Sequence, residues 1–218
     1  DAGLVPMVYP DYQPVTNDAI RQKFETAWGT ALDAQPGLTV VEIMAAALAG
    51  DVQGMYILGE NPFISDPNSN KVREALANLD FLAVQDIFLT ETAEFADVIL
   101  PASSYFEKTG TYTNTDRRVQ LGRSVLELPG EARQDWEIVC DISRRMGLAT
   151  DYQDVAEVFA EFADLTQNYG GLSHENLGST GKLWPCPDPA TQDGTQILFG
   201  DGFPTPTGRG KFVPCHFQ

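Results

Sequence analysis

Apolar positions follow two periods along this chain, and the switches between them mark out its elements. Ile20, Phe24 and Trp28 lie on one stripe behind Asn17 and Asp18, either of which suits a cap, and the stripe closes at Gly29; the spacing predicts a first helix. Ahead of it, residues 6–14 (PMVYPDYQP) are rich in proline and tyrosine and suit an extended segment laid over a surface. After the turn at Pro36-Gly37, Thr39 and Glu42 are spaced as a capping box for a second helix, with Val41, Ala45 and Leu48 as its apolar stripe and Gly50 as its stop. The period then changes. Residues 54–58 (GMYIL) form a short apolar run between glycines, as expected of a strand buried on both faces of a parallel sheet. A loop over 59–68 leads to a helix with Val72, Leu76 and Leu79 on one side, and residues 81–84 (FLAV) make the next buried strand, so 54–84 has the length of a βαβ unit with a right-handed crossover.

A third strand over 98–100 stops at Pro101, and 117–121 is expected to continue the same sheet as an edge strand. Residues 135–146 predict a helix with Trp136, Val139, Ile142 and Met146 inward and Gly147 at its C-cap; residues 155–165 predict a last helix with Val155, Val158, Phe159 and Phe162 on one face. The fold class these elements imply is α/β: an open, mostly parallel, Rossmann-like sheet with helices on both faces. Residues 168–218, dense in Gly, Pro, Asn and Thr, form an irregular C-terminal tail too long for an ordinary connection, expected to lie across something outside this chain; residues 210–217 alternate like the first strand of another domain.

Composition narrows the function classes. With 218 residues, 43% of them hydrophobic, the chain can bury one sizeable core. Fourteen Lys and Arg against 31 Asp and Glu give a net charge of -17, which repels nucleic acid and anionic lipid but leaves room for an anion held locally by backbone N–H groups and a few arginines. No apolar run approaches the roughly 20 residues of a membrane span. The first residues, Asp1 to Leu4, lack an initiator Met and a signal peptide's pattern and read as an excised or processed end. Cys140, Cys186 and Cys215 are odd in number without C-x-x-C spacing, which argues against a disulfide framework and for a reducing compartment. With His174 and His216 as the only histidines, a metal site made by this chain alone is not expected.

Two clusters carry candidate chemistry. The strand over 54–58 empties into Gly59-Glu60-Asn61-Pro62 and the strand over 81–84 into Gln85-Asp86, at neighbouring carboxyl ends where open α/β sheets bind ligands. Gly59 admits close backbone approach, Glu60, Asn61 and Asp86 offer acceptors for a base edge or ribose hydroxyls, and Thr90 heads the next turn; the same residues would equally serve as turn caps. The stretch 107–118 (EKTGTYTNTDRR) is dense in hydroxyl, amide and guanidinium groups that suit phosphates or a polar heterocycle, or else an ordinary solvated loop with an Asp116/Arg118 surface pair. Asp97 and Glu107 are carboxylates without a neighbouring His or Cys, no nucleophile elbow or Walker loop occurs, and Cys140 lies on an apolar helix face.

The segments GENPFISDPN (59–68), VQDIFLTETAEFADVILPASSYFEKTGTYTNTDRRVQ (84–120) and GEARQDWEI (130–138) resemble the part of the molybdopterin oxidoreductase superfamily that holds a molybdopterin guanine dinucleotide. YPDYQPVTNDAIRQKFETAWG (9–29) looks most like formate dehydrogenase alpha, or large catalytic, subunits. The resemblance implies a bis(molybdopterin guanine dinucleotide) cofactor with molybdenum or tungsten, one of whose guanosine and pyrophosphate arms this region grips, and oxidation of formate to CO2 by the whole subunit. Carried over by position, Gly59, Glu60, Asn61 and Ser65 line the first loop, Val84, Gln85, Asp86 and Thr90 the second strand end, and Asp97 joins them, with Glu107, Asn114 and Arg118 from the third motif. It also implies a division into a dinucleotide-binding α/β region (1–150), a helix packed on it (151–167) and a loop-rich linker (168–218) toward a further cofactor-binding domain. The family's iron–sulfur cysteines (a 4Fe-4S cluster), its Cys or selenocysteine metal ligand and the adjoining histidine have no counterpart here, so the resemblance implies that catalytic residues lie in the remainder of the subunit and that this chain alone is inactive. The partners implied are that remainder and electron-transfer subunits, in the cytoplasm, with no nucleic acid and no membrane. A nitrate reductase, which shares the middle motifs, and a cofactor-free structural module of the kind found in respiratory complex I are the alternatives.

Overall fold

A computed structural model describes residues 5–215. The chain opens with a hairpin of β1 (Val8–Tyr9) and β2 (Gln13–Pro14), followed by α1 (Asp18–Trp28) and α2 (Val40–Ala49). Both helices begin where the local chemistry dictates. The Asn17 side chain accepts from the backbone N–H groups of Ala19 and Ile20, and Thr39 and Glu42 close their capping box. Gly29 and Gly50 end the two helices in left-handed conformation.

A parallel sheet follows, built from β3 (Gly54–Leu58), β4 (Phe81–Asp86) and β5 (Val98–Pro101) in that spatial order, with α3 (Pro62–Ser65) and α4 (Ser69–Ala77) in the β3–β4 crossover. Met44 and Ala47 of α2 and Val72, Ala75 and Leu76 of α4 pack with Ile57, Leu82 and Val84 into one core on one face of this sheet. The stripe expected on α2 is displaced: Val41 and Leu48 are exposed and Met44 and Ala47 point inward. VVEIMAAALA is apolar around most of its circumference, so periodicity alone does not select the buried face.

Nor is β3 buried on both faces, since Tyr56 and Leu58 are 43% and 44% exposed. On the opposite face from the α2/α4 core, Gln85 meets the start of α5 (Asp135–Arg145). In α5 the buried residues are Ile138 and Cys140, whereas Val139 and Met146, expected inward, are exposed.

The expected edge strand does not extend the parallel sheet. β7 (Arg118–Gly122) pairs antiparallel with β6 (Gly110–Thr113) and with β8 (Lys182–Leu183) in a second sheet. Against it packs α6 (Val155–Leu165), capped by Asp154, in a core of Val119, Phe159, Ala163, Tyr169, Leu172, Leu177 and Cys186. Much of the tail is therefore interior material of this second lobe, and Arg117 fastens it by donating to the carbonyls of Trp184, Thr195 (3.0 Å) and Gln196 (3.0 Å). A third cluster joins Tyr9, Val15 and Phe24 to Leu165, so the N-terminal hairpin and α1 rest beside the end of α6. Residues 210–215 form no strand; the end of the expected 210–217 strand, His216, and the start of the chain fall outside the described residues.

Candidate cofactor-binding site

The register of the parallel sheet sets Leu58 beside Gln85 and Asp86 beside Pro101, so three strands end together. Gly59 follows at φ 63°, in the left-handed region, and its N–H donates to the Gln85 carbonyl at 2.9 Å. These ends open on a cavity of about 500 Å³ whose walls include Gly59, Gln85, Asp86, Ile87, Ser103, Tyr105, Lys108, Tyr112 and Asp135.

Behind the cavity lies a closed polar network. Gln85, fully buried, accepts from the Tyr56 hydroxyl and donates through Nε2 to Asp135 Oδ1 at 2.9 Å. The other Asp135 oxygen accepts from Ser103 Oγ at 3.3 Å and from Lys108 Nζ, which also donates to the Ser103 carbonyl at 3.1 Å. Asp135 is the first residue of α5, where the helix dipole favours a carboxylate. Burial raises the Tyr56 and Tyr112 phenols, with Asp135 adding to the effect in both, so both stay protonated at neutral pH. Tyr112 lies across Gly122 of the paired strand, where a Cβ would come within 2.6 Å of its ring.

Asp86 Oδ1 accepts from the Ile87 and Phe88 N–H groups, at 2.7 and 3.3 Å, while Oδ2 has no partner among the described residues. The cavity thus offers an acceptor at Asp86 and the remaining N–H of the Lys108 ammonium as a donor.

The structure brings together only some of the residues carried over by resemblance. Gly59, Gln85 and Asp86 line the cavity, and Glu60 is exposed beside it in sequence. Asn61 donates to Glu91 at 2.8 Å and accepts from the Thr92 hydroxyl at 2.7 Å, tying the loop after β3 to the loop after β4; the bond from Asn61 also holds the Glu91 carboxyl below its usual range. Thr90 accepts from Ala93 N–H within its own turn, and Ser65 is exposed at the end of α3. Val84 points its side chain into the α2/α4 core. Asp97 lies at the opposite edge of the sheet, where its carboxylate accepts from Leu82 N–H at 2.7 Å at the start of β4. Glu107 caps a short turn by accepting from Ser104 N–H at 2.8 Å, Asn114 donates to Gln120 at 2.8 Å, and Arg118 pairs with Asp116 at 3.7 Å and donates to the Thr180 carbonyl at 3.2 Å. From the stretch 107–118, Lys108 and Tyr112 reach the cavity instead. Sequence reasoning left Lys108, Asp135, Ser103 and Tyr56 out of the site; the one signal for Asp135 was its place in the GEARQDWEI segment.

Among the described residues no group of three or more His, Cys, Asp or Glu is placed to hold a metal ion, and no helix is long and apolar enough to cross a membrane. Cys140 and Cys186 are buried and free, and Cys215 is free and exposed.

A parallel sheet with ligand-facing groups at its strand ends is shared by many enzymes, and sequence comparison narrows the choice. The family model for molybdopterin oxidoreductase matches residues 11–145, and the chain belongs to that family. It is 43% identical, along its whole length, to the F420-dependent formate dehydrogenase subunit alpha of Methanocaldococcus jannaschii, of which it spans 32%. To formate dehydrogenase H of Escherichia coli it is 38% identical over 99% of its length, spanning 30% of that protein. The chain thus spans about a third or less of the curated relatives it matches. Among solved structures, acetylene hydratase from Pelobacter acetylenicus shares the fold with a TM-score of 0.59 over 93% of this chain and 27% of that one, at 20% identity.

Proposed function

We propose that this chain is the part of a formate dehydrogenase catalytic subunit that grips one guanine dinucleotide arm of a bis(molybdopterin guanine dinucleotide) cofactor. The observation that carries the reading is the strand-end cavity, with an unpartnered carboxylate oxygen and a held ammonium on its wall, in a member of the molybdopterin oxidoreductase family. When bound, the cofactor would supply molybdenum or tungsten as the centre that accepts electrons from formate. This chain's residues would hold its nucleotide end. Gly59 lets the backbone come close, the Asn61–Thr92 bond fixes the two loops, and Asp86 and Lys108 face the ligand. The metal ligand, the iron–sulfur cluster and the catalytic groups would belong to the remainder of the subunit, leaving this chain inactive by itself. Electron-transfer subunits would be the partners, and the cytoplasm the compartment. Residues 1–150 would form the cofactor-binding region; 151–167 and the tail, which pack together here, would form the wall leading to a further domain.

The test is to assemble the chain within a full-length subunit, verify metal and pterin content, and assay formate-dependent dye reduction. Formate oxidation that is lost on Asp86→Ala, together with lowered pterin content, is the expected result. A fully loaded subunit that does not oxidise formate would overturn the assignment.

A further inference from the structure

We infer that the outer face of α2 is an internal interface of the whole subunit, covered there by an apolar segment of the same polypeptide that lies outside these 218 residues. The inference rests on the reading of this chain as one piece of a longer subunit and adds which surface the rest of that subunit closes on. α2 runs VVEIMAAALA, and Glu42 is its only charged residue. Met44 and Ala47 fill the side that meets the parallel sheet. Val41, Ala45 and Leu48, spaced four and three apart, share a second side that is left open. Val41 is 59% and Leu48 39% exposed, and Ala45 and Ala49 are exposed with them. A helix that is apolar around its circumference belongs in an interior, whereas a surface helix carries polar residues away from its core. The alanines admit a closely packed backbone, and Leu38, exposed just ahead of the helix, adds to the apolar surface. The helix is also fixed before anything docks on it, since the Asn78 amide at the end of α4 donates to the Ala47 carbonyl at 2.8 Å.

Charge and chain position decide the occupant. A second copy of this chain would bring another net charge of -17 against the first, and that repulsion opposes self-association. The subunit's own sequence is favoured by amount and by place. This chain spans 32% and 30% of two relatives it matches along its length, so the larger part of each lies outside the match. Gly37 N–H donates to the Pro6 carbonyl at 2.8 Å, which fastens the N-terminal end of the described chain beside Leu38 and the start of α2. In the longer subunit, sequence joined at that end is held near the open stripe at a high effective concentration, an advantage that a free partner lacks.

The test places the photo-cross-linker p-benzoyl-phenylalanine at Leu48, and in a second variant at Val41, within a full-length subunit purified by itself. After irradiation the linked peptides are mapped by mass spectrometry. The expected product joins α2 to residues of the same polypeptide outside the region described here, with no dimer-sized band. Leu48→Gln keeps helix propensity but makes the position polar, and it should lower the apparent melting temperature of the full-length subunit by several degrees. Leu48→Met, which conserves volume, should leave it nearly unchanged. That pair decides the matter if the bulky label prevents assembly, and equal melting of the two variants would overturn the inference. A dimer-sized product would assign the face to a second copy, a link formed only after electron-transfer subunits are added would assign it to a partner, and no link at all would leave it open to solvent. Each of these overturns the inference. Formate oxidation by the same preparation tests the assignment separately. An active subunit with an open α2 face sinks only this inference, and a loaded, inactive subunit that links internally sinks only the formate assignment.

Discussion

At the scale of single residues, Gln85 is the position on which the site depends. Its amide is buried between the Tyr56 hydroxyl and the Asp135 carboxylate, and both of its polar atoms are used. Gln85→Leu keeps the volume and removes both bonds, stranding one oxygen of Asp135; a loss of about 1–3 kcal/mol is expected in urea unfolding, with the midpoint falling and the slope unchanged. His174 makes a different prediction. Its Nε2 is buried without a partner and its ring lies 5.5 Å from that of Phe159. Burial is the main cause that holds its imidazole below the ordinary 6.5, with Asp154 opposing and Arg123 assisting. The unfolded chain therefore takes up the proton first. Stability from the neutral ring is complete above 6.5 and is lost as the pH falls from there through the depressed folded value. Thermal melting between about pH 7 and about pH 5.5, above the range where most carboxylates titrate, should show a decline that His174→Phe removes. An identical decline in the variant would assign the effect elsewhere.

Elements were most legible where their signals are local. Asn17 and the Thr39/Glu42 box sit within three residues of the N–H groups they satisfy, so reading along the chain finds them, whereas the cap at Asp154 came only with the structure. Asp154 accepts from Ala156 and Glu157 N–H at 2.9 and 3.1 Å and starts the helix that supplies Phe159 and Ala163 to the second core. Asp154→Ala should cost about 1 kcal/mol by denaturant unfolding, and Asp154→Ser should recover most of it; an Ala variant as stable as the parent would mean that packing alone fixes this end. Faces were less legible than ends. On α2 and α5 the apolar residues spread around the helix, and only the partner sheet and loops decide that Met44 rather than Val41, and Ile138 rather than Met146, is covered. The same limit applied to the site. Asp97 stands eleven residues beyond Asp86, yet β5 runs parallel to β4, so the chain returns to the far edge of the sheet before β5 begins and carries Asp97 there.

The whole molecule has two lobes of different exposure. The second sheet is closed over by α6 and the tail, whereas the parallel sheet presents Tyr56, Leu58 and Val98 on one face and an unpaired edge at β3. Gln53 O accepts from Phe81 N–H and Gly59 N–H donates to Gln85 O, so by the alternation of a parallel ladder Met55 and Ile57 also bond to β4. Gly54, Tyr56 and Leu58 turn their backbone groups to the open side. Amide exchange in the isolated chain should therefore be fast at Tyr56 and Leu58 and slow at Met55 and Ile57, and Leu58→Lys should lower light scattering by blocking edge pairing; uniform protection along β3 would mean that the edge is covered in solution. The sequence by itself determined the α/β class, the ends of most helices, the three parallel strands and the family, because caps, short apolar runs and contiguous motifs are encoded within a few neighbouring residues. Only the tertiary structure decided that residues 118–122 belong to a second sheet, that the glycine- and proline-rich tail is partly core, and that Lys108 and Asp135 meet at the strand ends where Asp97 and Arg118 do not. Those pairings join positions far apart along the chain, and no local period records them.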